Sequence, residues 1–158
     1  MFEHIAIQSK EYEELRRELR ETEVFASVGA LLSWDQETMM PPRGTGVRAE
    51  QASQIGQLVH ERRTSARFVE LLERCENDAE LRSDPVVGAN LREIRRSYDQ
   101  SVRIPTSLVR EFAETVTHAQ HVWREARSRS DFASFAPWLE KIVGLVRSKA
   151  ECLAHPDT

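Results

Sequence analysis

Apolar residues return every three or four positions through most of this chain. No run of alternating apolar and polar residues is long enough to predict a strand. Residues 10–23 predict a first amphipathic helix, with Tyr12, Leu15 and Leu19 on one face and Glu13 four residues before Arg17. A denser set follows in Val24, Phe25, Val28, Leu31, Leu32 and Trp34. It predicts a helix buried on more than one side, running to Thr38 and ended by Pro41 and Pro42. Gly29 and Ala30 would let another helix come close there.

Beyond the glycine- and proline-rich loop at residues 41–46, a weaker stripe uses Val47, Gln51, Ile55, Leu58 and Val59. A short helix carrying Phe68, Leu71, Leu72 and Cys75 fades at Asn77 and Asp78. Ser83-Asp84-Pro85 is a strong start signal, a capping side chain just before a first-turn proline. It opens a helix through Val87, Leu91, Ile94, Tyr98 and Val102. The clearest seam comes next: Val109, Phe112, Val116, Ala119, Trp123 and Ala126 predict one helix from about Pro105 to Ser128. The last helix, capped by Asp131 or Ser134, carries Phe135, Leu139, Ile142, Val146, Ala150 and Leu153. Pro137 fits only if that helix begins shortly before it. The expected fold is all-α: six or seven helices in an antiparallel bundle-like array, with no sheet.

Composition narrows the class. At 158 residues the chain suits a single domain over 1–158. The balance of 22 basic and 26 acidic residues, with no basic block, argues against nucleic acid or an anionic membrane surface as partner. No apolar run reaches the roughly 20 residues of a membrane span, and residues 1–10 lack the pattern of a signal peptide. Cys75 and Cys152 sit far apart in helical patterns, as reduced thiols would in a cytoplasmic protein.

Candidate chemistry is sparse. His60-Glu61 opens a zinc-protease helix motif, but the position that needs a second histidine is Thr64, so His60 reads as a surface or interface residue. His118 and His121 share a stripe with Glu114 and Glu125 that could hold a divalent metal. That stripe is turned roughly 200° from the apolar seam, so a solvated polar face is the expectation and no metal is assigned. The densest stretch is Ser33-Trp34-Asp35-Gln36-Glu37-Thr38-Met39-Met40-Pro41-Pro42. As a helix end it would put Trp34 and Met39 in the core and leave Asp35 and Glu37 solvated.

The same stretch, with Tyr12-Glu13-Glu14-Leu15 before it, resembles the N-terminal region of the carboxypeptidase Taq family, zinc metallocarboxypeptidases of the HExxH type. The likeness continues through Arg48-Ala49-Glu50-Gln51, His60-Glu61 and Ile104-Pro105. It closes with Glu111-Phe112-Ala113, Trp123-Arg124-Glu125-Ala126-Arg127 and Phe135-Ala136-Pro137-Trp138-Leu139. Family members are much longer, and their zinc ligands and catalytic glutamate lie in a part that no position here matches. The resemblance therefore implies a scaffold that covers one side of a substrate groove. It implies no catalytic residue and no cofactor in this chain, zinc or a similar metal belonging to the full-length family.

Three readings stand at this point. The chain is a shortened relative or N-terminal portion of a metallocarboxypeptidase, silent alone. Or it is a free-standing module that binds a protein or peptide, or completes a catalytic chain in trans. Or it is a small metalloenzyme using His118 and His121. Trp34, Asp35, Gln36, Glu37 and Thr38 are the groove-facing candidates. Their structural alternative has Gln36 and Thr38 serving carbonyls near the helix end and Asp35 paired with Arg43 or Arg48. Trp34→Ala would then cost on the order of 3–5 kcal/mol if the indole is buried. Self-association, most simply as a homodimer, is expected to cover a leftover apolar face.

Overall fold

Ser9 opens the first helix by accepting a hydrogen bond from the Tyr12 backbone N–H, and the helix then runs unbroken as α1 (Lys10–Thr38). The two helical patterns predicted for this stretch are thus one element. The computed structural model describes residues 9–154; the reading against a signal peptide and residues 155–158 lie outside that range. After a single 3-10 turn at Pro42–Gly44 come α2 (Thr45–Arg63), α3 (Ala66–Asn77) and the short α4 (Ala79–Ser83). They are followed by α5 (Pro85–Val102), α6 (Thr106–Ser128) and α7 (Phe132–Leu153). Among the described residues there is no strand, so the fold is all-α as the periodicity predicts.

Side-chain caps set the boundaries. Ser65 accepts from the Phe68 N–H, Asp84 from the Val86 and Val87 N–H groups with Pro85 in the first turn, and Asp131 from the Ser134 N–H. Each satisfies donors that a helix start leaves free. Asp78 caps α4 in the same way, which is why the chain beyond Asn77 makes one more turn rather than a loop. Pro137 lies in the second turn of α7, later than the first-turn placement the sequence favours, and the helix continues through it.

The closed core gathers Tyr12 and Leu15 of α1, Phe68, Leu71, Leu72 and Cys75 of α3, Leu81 of α4, and Val87 and Leu91 of α5. Leu15, Leu72, Leu81 and Cys75 are completely buried. Arg95 of α5 forks onto both carboxylate oxygens of Glu76 on α3, and Arg62 of α2 reaches Glu18 and Glu21 of α1.

A row formed by α1, α2, α6 and α7 extends from this core, successive members packing on each other. Here the predicted faces need correction. In α2, Val47 is 62% exposed, and the buried positions are Thr45, Ala49 and Ser53. The stripe Thr45, Ala49, Ser53, Gly56 is one of small residues. A Cβ built on Gly56 would lie 3.6 Å from Val109 and 3.9 Å from Ala113, so α6 comes close to the α2 backbone. Close approach, not bulk, makes this contact, and an apolarity count does not see it. On the other side of α2, a Cβ on Gly29 of α1 would lie 3.6 Å from Ile55, the close approach expected there.

Candidate functional site

The last turns of α1 divide the five groove-facing candidates between opposite sides of the helix. Asp35 turns toward α2, where Arg48 donates to its carboxylate and, with another nitrogen, to the Leu32 carbonyl, each at 2.5 Å. Arg48 keeps only 12% of its side chain exposed, so this is a partly buried ion pair that also serves a backbone oxygen. Of the two arginines available in the sequence, the fold selects Arg48.

Gln36 and Glu37 turn toward α6. Gln36 is buried, and its amide donates to the Gln120 side-chain oxygen at 2.9 Å and to the Thr117 carbonyl at 3.4 Å. Gln120 in turn donates to Glu37, and Arg124 reaches both the Glu37 carboxylate at 3.3 Å and the Gln36 carbonyl at 3.4 Å. Glu37 remains exposed yet tied, and Asp35 is half-buried, so neither is the freely solvated carboxylate of the helix-end reading. Gln120 carries no distinguishing signal in the sequence, and Arg124 stands there only within the segment 123–127 of the family resemblance, with no partner assigned to it.

Trp34 and Thr38 occupy the outward side. Thr38 donates to the Trp34 carbonyl at 2.8 Å, the expected service to a helix end. Trp34 is 59% exposed and Met39 71%, which overturns their placement in the core. Val24 and Leu31, at 59% and 60%, lie one to three turns back on the same side. The second half of α1 is therefore buried along its α2 and α6 sides only. The stretch is two constellations, a polar clamp facing in and an apolar display facing out.

The histidine stripe of α6 is also not the solvated face expected. The α7 helix packs over it: His118 stacks on Trp138 with ring centroids 5.8 Å apart, and both histidines are half-buried. His121 approaches Glu125 at 3.5 Å. Among the described residues no group of three or more His, Cys, Asp or Glu converges as a metal site. One imidazole stacked on an indole and the other beside a single carboxylate do not make the ligand set a zinc ion needs. His60 sits at an interface with the backbone of Ile104, and burial lowers its pKa from the ordinary 6.5. Cys75 and Cys152 are both free thiols.

An all-α array held together by a polar clamp, with apolar side chains displayed beside it, defines a helical scaffold. The family description "Carboxypeptidase Taq (M32) metallopeptidase" matches residues 14–158, and the chain belongs to that family. It is 40% identical over 144 residues to thermostable carboxypeptidase 1 of Thermus thermophilus, covering 90% of this chain and 28% of the relative. Against carboxypeptidase 1 of Bacillus subtilis the identity is 29% over 120 residues, covering 75% of this chain and 24% of the relative. The solved Pyrococcus furiosus carboxypeptidase superposes with a TM-score of 0.71 at 28% identity, over 94% of this chain and 29% of that one. The M32 carboxypeptidase of Deinococcus radiodurans gives 0.70 at 31%, over 92% and 29%. The chain thus spans under a third of the length of the relatives it matches, corresponding to their N-terminal helical portion.

Proposed function

We propose that this chain acts as the N-terminal scaffold of a zinc metallocarboxypeptidase, covering one side of a substrate groove and catalytically silent by itself. The observation that carries this reading is the extent of the match: nearly the whole chain corresponds to under a third of each solved carboxypeptidase. The Asp35–Arg48 and Gln36–Gln120 contacts support the scaffold role, since they fix the end of α1 against α2 and α6. In the full-length enzyme a bound metal would activate water for attack on the terminal peptide bond. In this chain Trp34 and Thr38 are the candidates on the outward side, and Trp34 is the large apolar side chain among the five that is open to a peptide or partner. A cytoplasmic location and self-association, most simply as a homodimer, complete the proposal; no described helix is long and apolar enough to cross a membrane.

The test is calorimetric zinc titration of the metal-stripped chain, with and without His118→Ala and His121→Ala, followed by a carboxypeptidase assay. The expected result is no stoichiometric, histidine-dependent binding and no release of a C-terminal residue. Tight binding lost in the alanine variants, together with peptidase activity, would replace the scaffold reading with a small metalloenzyme. The outward apolar side chains of α1 favour a second reading, a free-standing module for a protein or peptide that completes a catalytic chain in trans. Specific peptide binding by the purified chain, abolished in Trp34→Ala, would single it out.

A further inference from the structure

A cleft of about 290 Å³ opens at the edge of the closed core, where α1, α3 and α5 meet the end of α2. Its floor is apolar: Leu19, Ile94 and Tyr98 pack against the core, and Phe68 belongs to it. Phe68 and Tyr98 stack with ring centroids 6.1 Å apart, which fixes two aromatic rings in that floor. The rim is polar. There α1 and α2 bring the Glu23–Arg63 pair, closed at 2.5 Å, and α5 brings Glu93 and Ser97. Unlike the bare outer sides of α1 and α7, this is a hollow walled by four helices of the chain itself. The packing of α7 is on α6, away from it.

We propose that the cleft binds a small organic amine, a protonated nitrogen carried on an aromatic or branched apolar body. The inference does not depend on the scaffold reading. A largely apolar hollow with a few polar groups at its edge is the usual form of a small-molecule site, and this volume lies at the low end of the range.

Charge selects the cation. The lining holds two carboxylates and one guanidinium, and Arg63 is already taken up by Glu23. Arg95, over the Tyr98 ring at 5.5 Å, is forked onto both oxygens of Glu76 and adds no uncompensated charge. Glu93 has as its ion-pair partner among the described residues only Arg96, at 3.5 Å, with both side chains at least 70% exposed. Such a contact is worth little, and an ammonium group seated in the cleft can replace it. Ser97 and Tyr98 carry hydroxyls that make no hydrogen bond among the described residues, so each can accept one from the ammonium. An anion of the same shape would meet Glu23 and Glu93 instead. Because four helices form the site, it exists only in the folded chain, and its ligand must also raise the unfolding temperature.

Titration of the full chain with phenethylamine, followed by backbone amide NMR, tests this. Saturable shifts are expected around Leu19, Phe68 and residues 93–98, with a Kd on the order of 1 mM and a rise in unfolding temperature. The same ring with the opposite charge, 3-phenylpropionate, should bind roughly tenfold more weakly or not at all. Glu93→Gln should weaken phenethylamine about threefold. Ser97→Trp, which fills the cleft from an exposed position, should abolish the shifts and leave the helical circular dichroism unchanged. No saturable binding of phenethylamine would overturn the site. Equal binding of the amine and the acid, or an unchanged Kd in Glu93→Gln, would overturn the assignment to a cation. Shifts that persist in Ser97→Trp would overturn the location.

Discussion

Replacing Arg48 with alanine is the sharpest probe of how α1 is held. The guanidinium donates to the Asp35 carboxylate and the Leu32 carbonyl, with only 12% of the side chain exposed. Its removal leaves a carboxylate without its partner and a carbonyl without its side-chain donor. A half-buried group left so costs about 1–3 kcal/mol, and breaking a fully buried pair costs about 3–5 kcal/mol. Asp35 is 35% exposed, so water recovers part of the loss, and about 2–3 kcal/mol is expected. Trp34→Ala is the matched control one residue before Asp35. Its indole is mostly in water already, and alanine returns about 0.5 kcal/mol of helix propensity, so the net cost is about 1 kcal/mol or less. Urea unfolding followed by circular dichroism measures both, with an unchanged denaturant slope as the check that the unfolded state is comparable. A larger loss for Trp34→Ala than for Arg48→Ala would refute the reasoning, because it would mean that the indole faces the interior.

Two further outcomes follow from the closed core. Gly88→Ala should destabilise the chain by about 1–3 kcal/mol, because the new Cβ would stand 2.5 Å from the Arg82 carbonyl oxygen; thermal unfolding unchanged from wild type would show that the α4–α5 turn is looser than described. Burial, aided by Glu11, Asp78 and Glu76, pushes the Cys75 thiol from 9.0 up to about 11. Between those values the unfolded chain loses the proton and the folded chain keeps it, so stability should fall by up to about 1.4 kcal/mol per pH unit as pH rises. Cys75→Ser removes that ionisation, and a variant whose alkaline stability profile keeps the same slope would contradict the assignment.

The sequence made the closed core legible because its helices bury single, well-spaced stripes. Phe68, Leu71, Leu72 and Cys75 are all buried where the pattern put them, as are Val87 and Leu91. The row of α1, α2, α6 and α7 was harder to read for two physical reasons. Its contact between α2 and α6 uses the small residues Ala49, Ser53 and Gly56, which an apolar pattern undervalues. Its apolar density in α1 and α7 exceeds what the chain itself covers, so counting hydrophobic residues overstated burial at Val24, Leu31 and Trp34. For the candidate site, the pairing of Asp35 with an arginine was foreseeable from composition. The split of five consecutive residues between inner and outer sides needed the rotation of the helix, which neighbouring elements decide.

The two parts of the molecule are held by different physics. Around Leu72, four helices surround one apolar centre, and no large side chain in it needs a partner from elsewhere. A row of helices cannot do this, because each member has two broad sides left after its neighbours are seated. Its members are instead registered by directional contacts: Arg48 across α1 and α2, Gln36, Gln120 and Arg124 across α1 and α6, His118 and Trp138 across α6 and α7. Such contacts fix geometry well and contribute modest net stability, since each exchanges hydrogen bonds with water for hydrogen bonds within the protein. The apolar side chains that the row leaves outward are then the natural source of further stability. Covering them would add burial without disturbing the clamps that hold the helices in place.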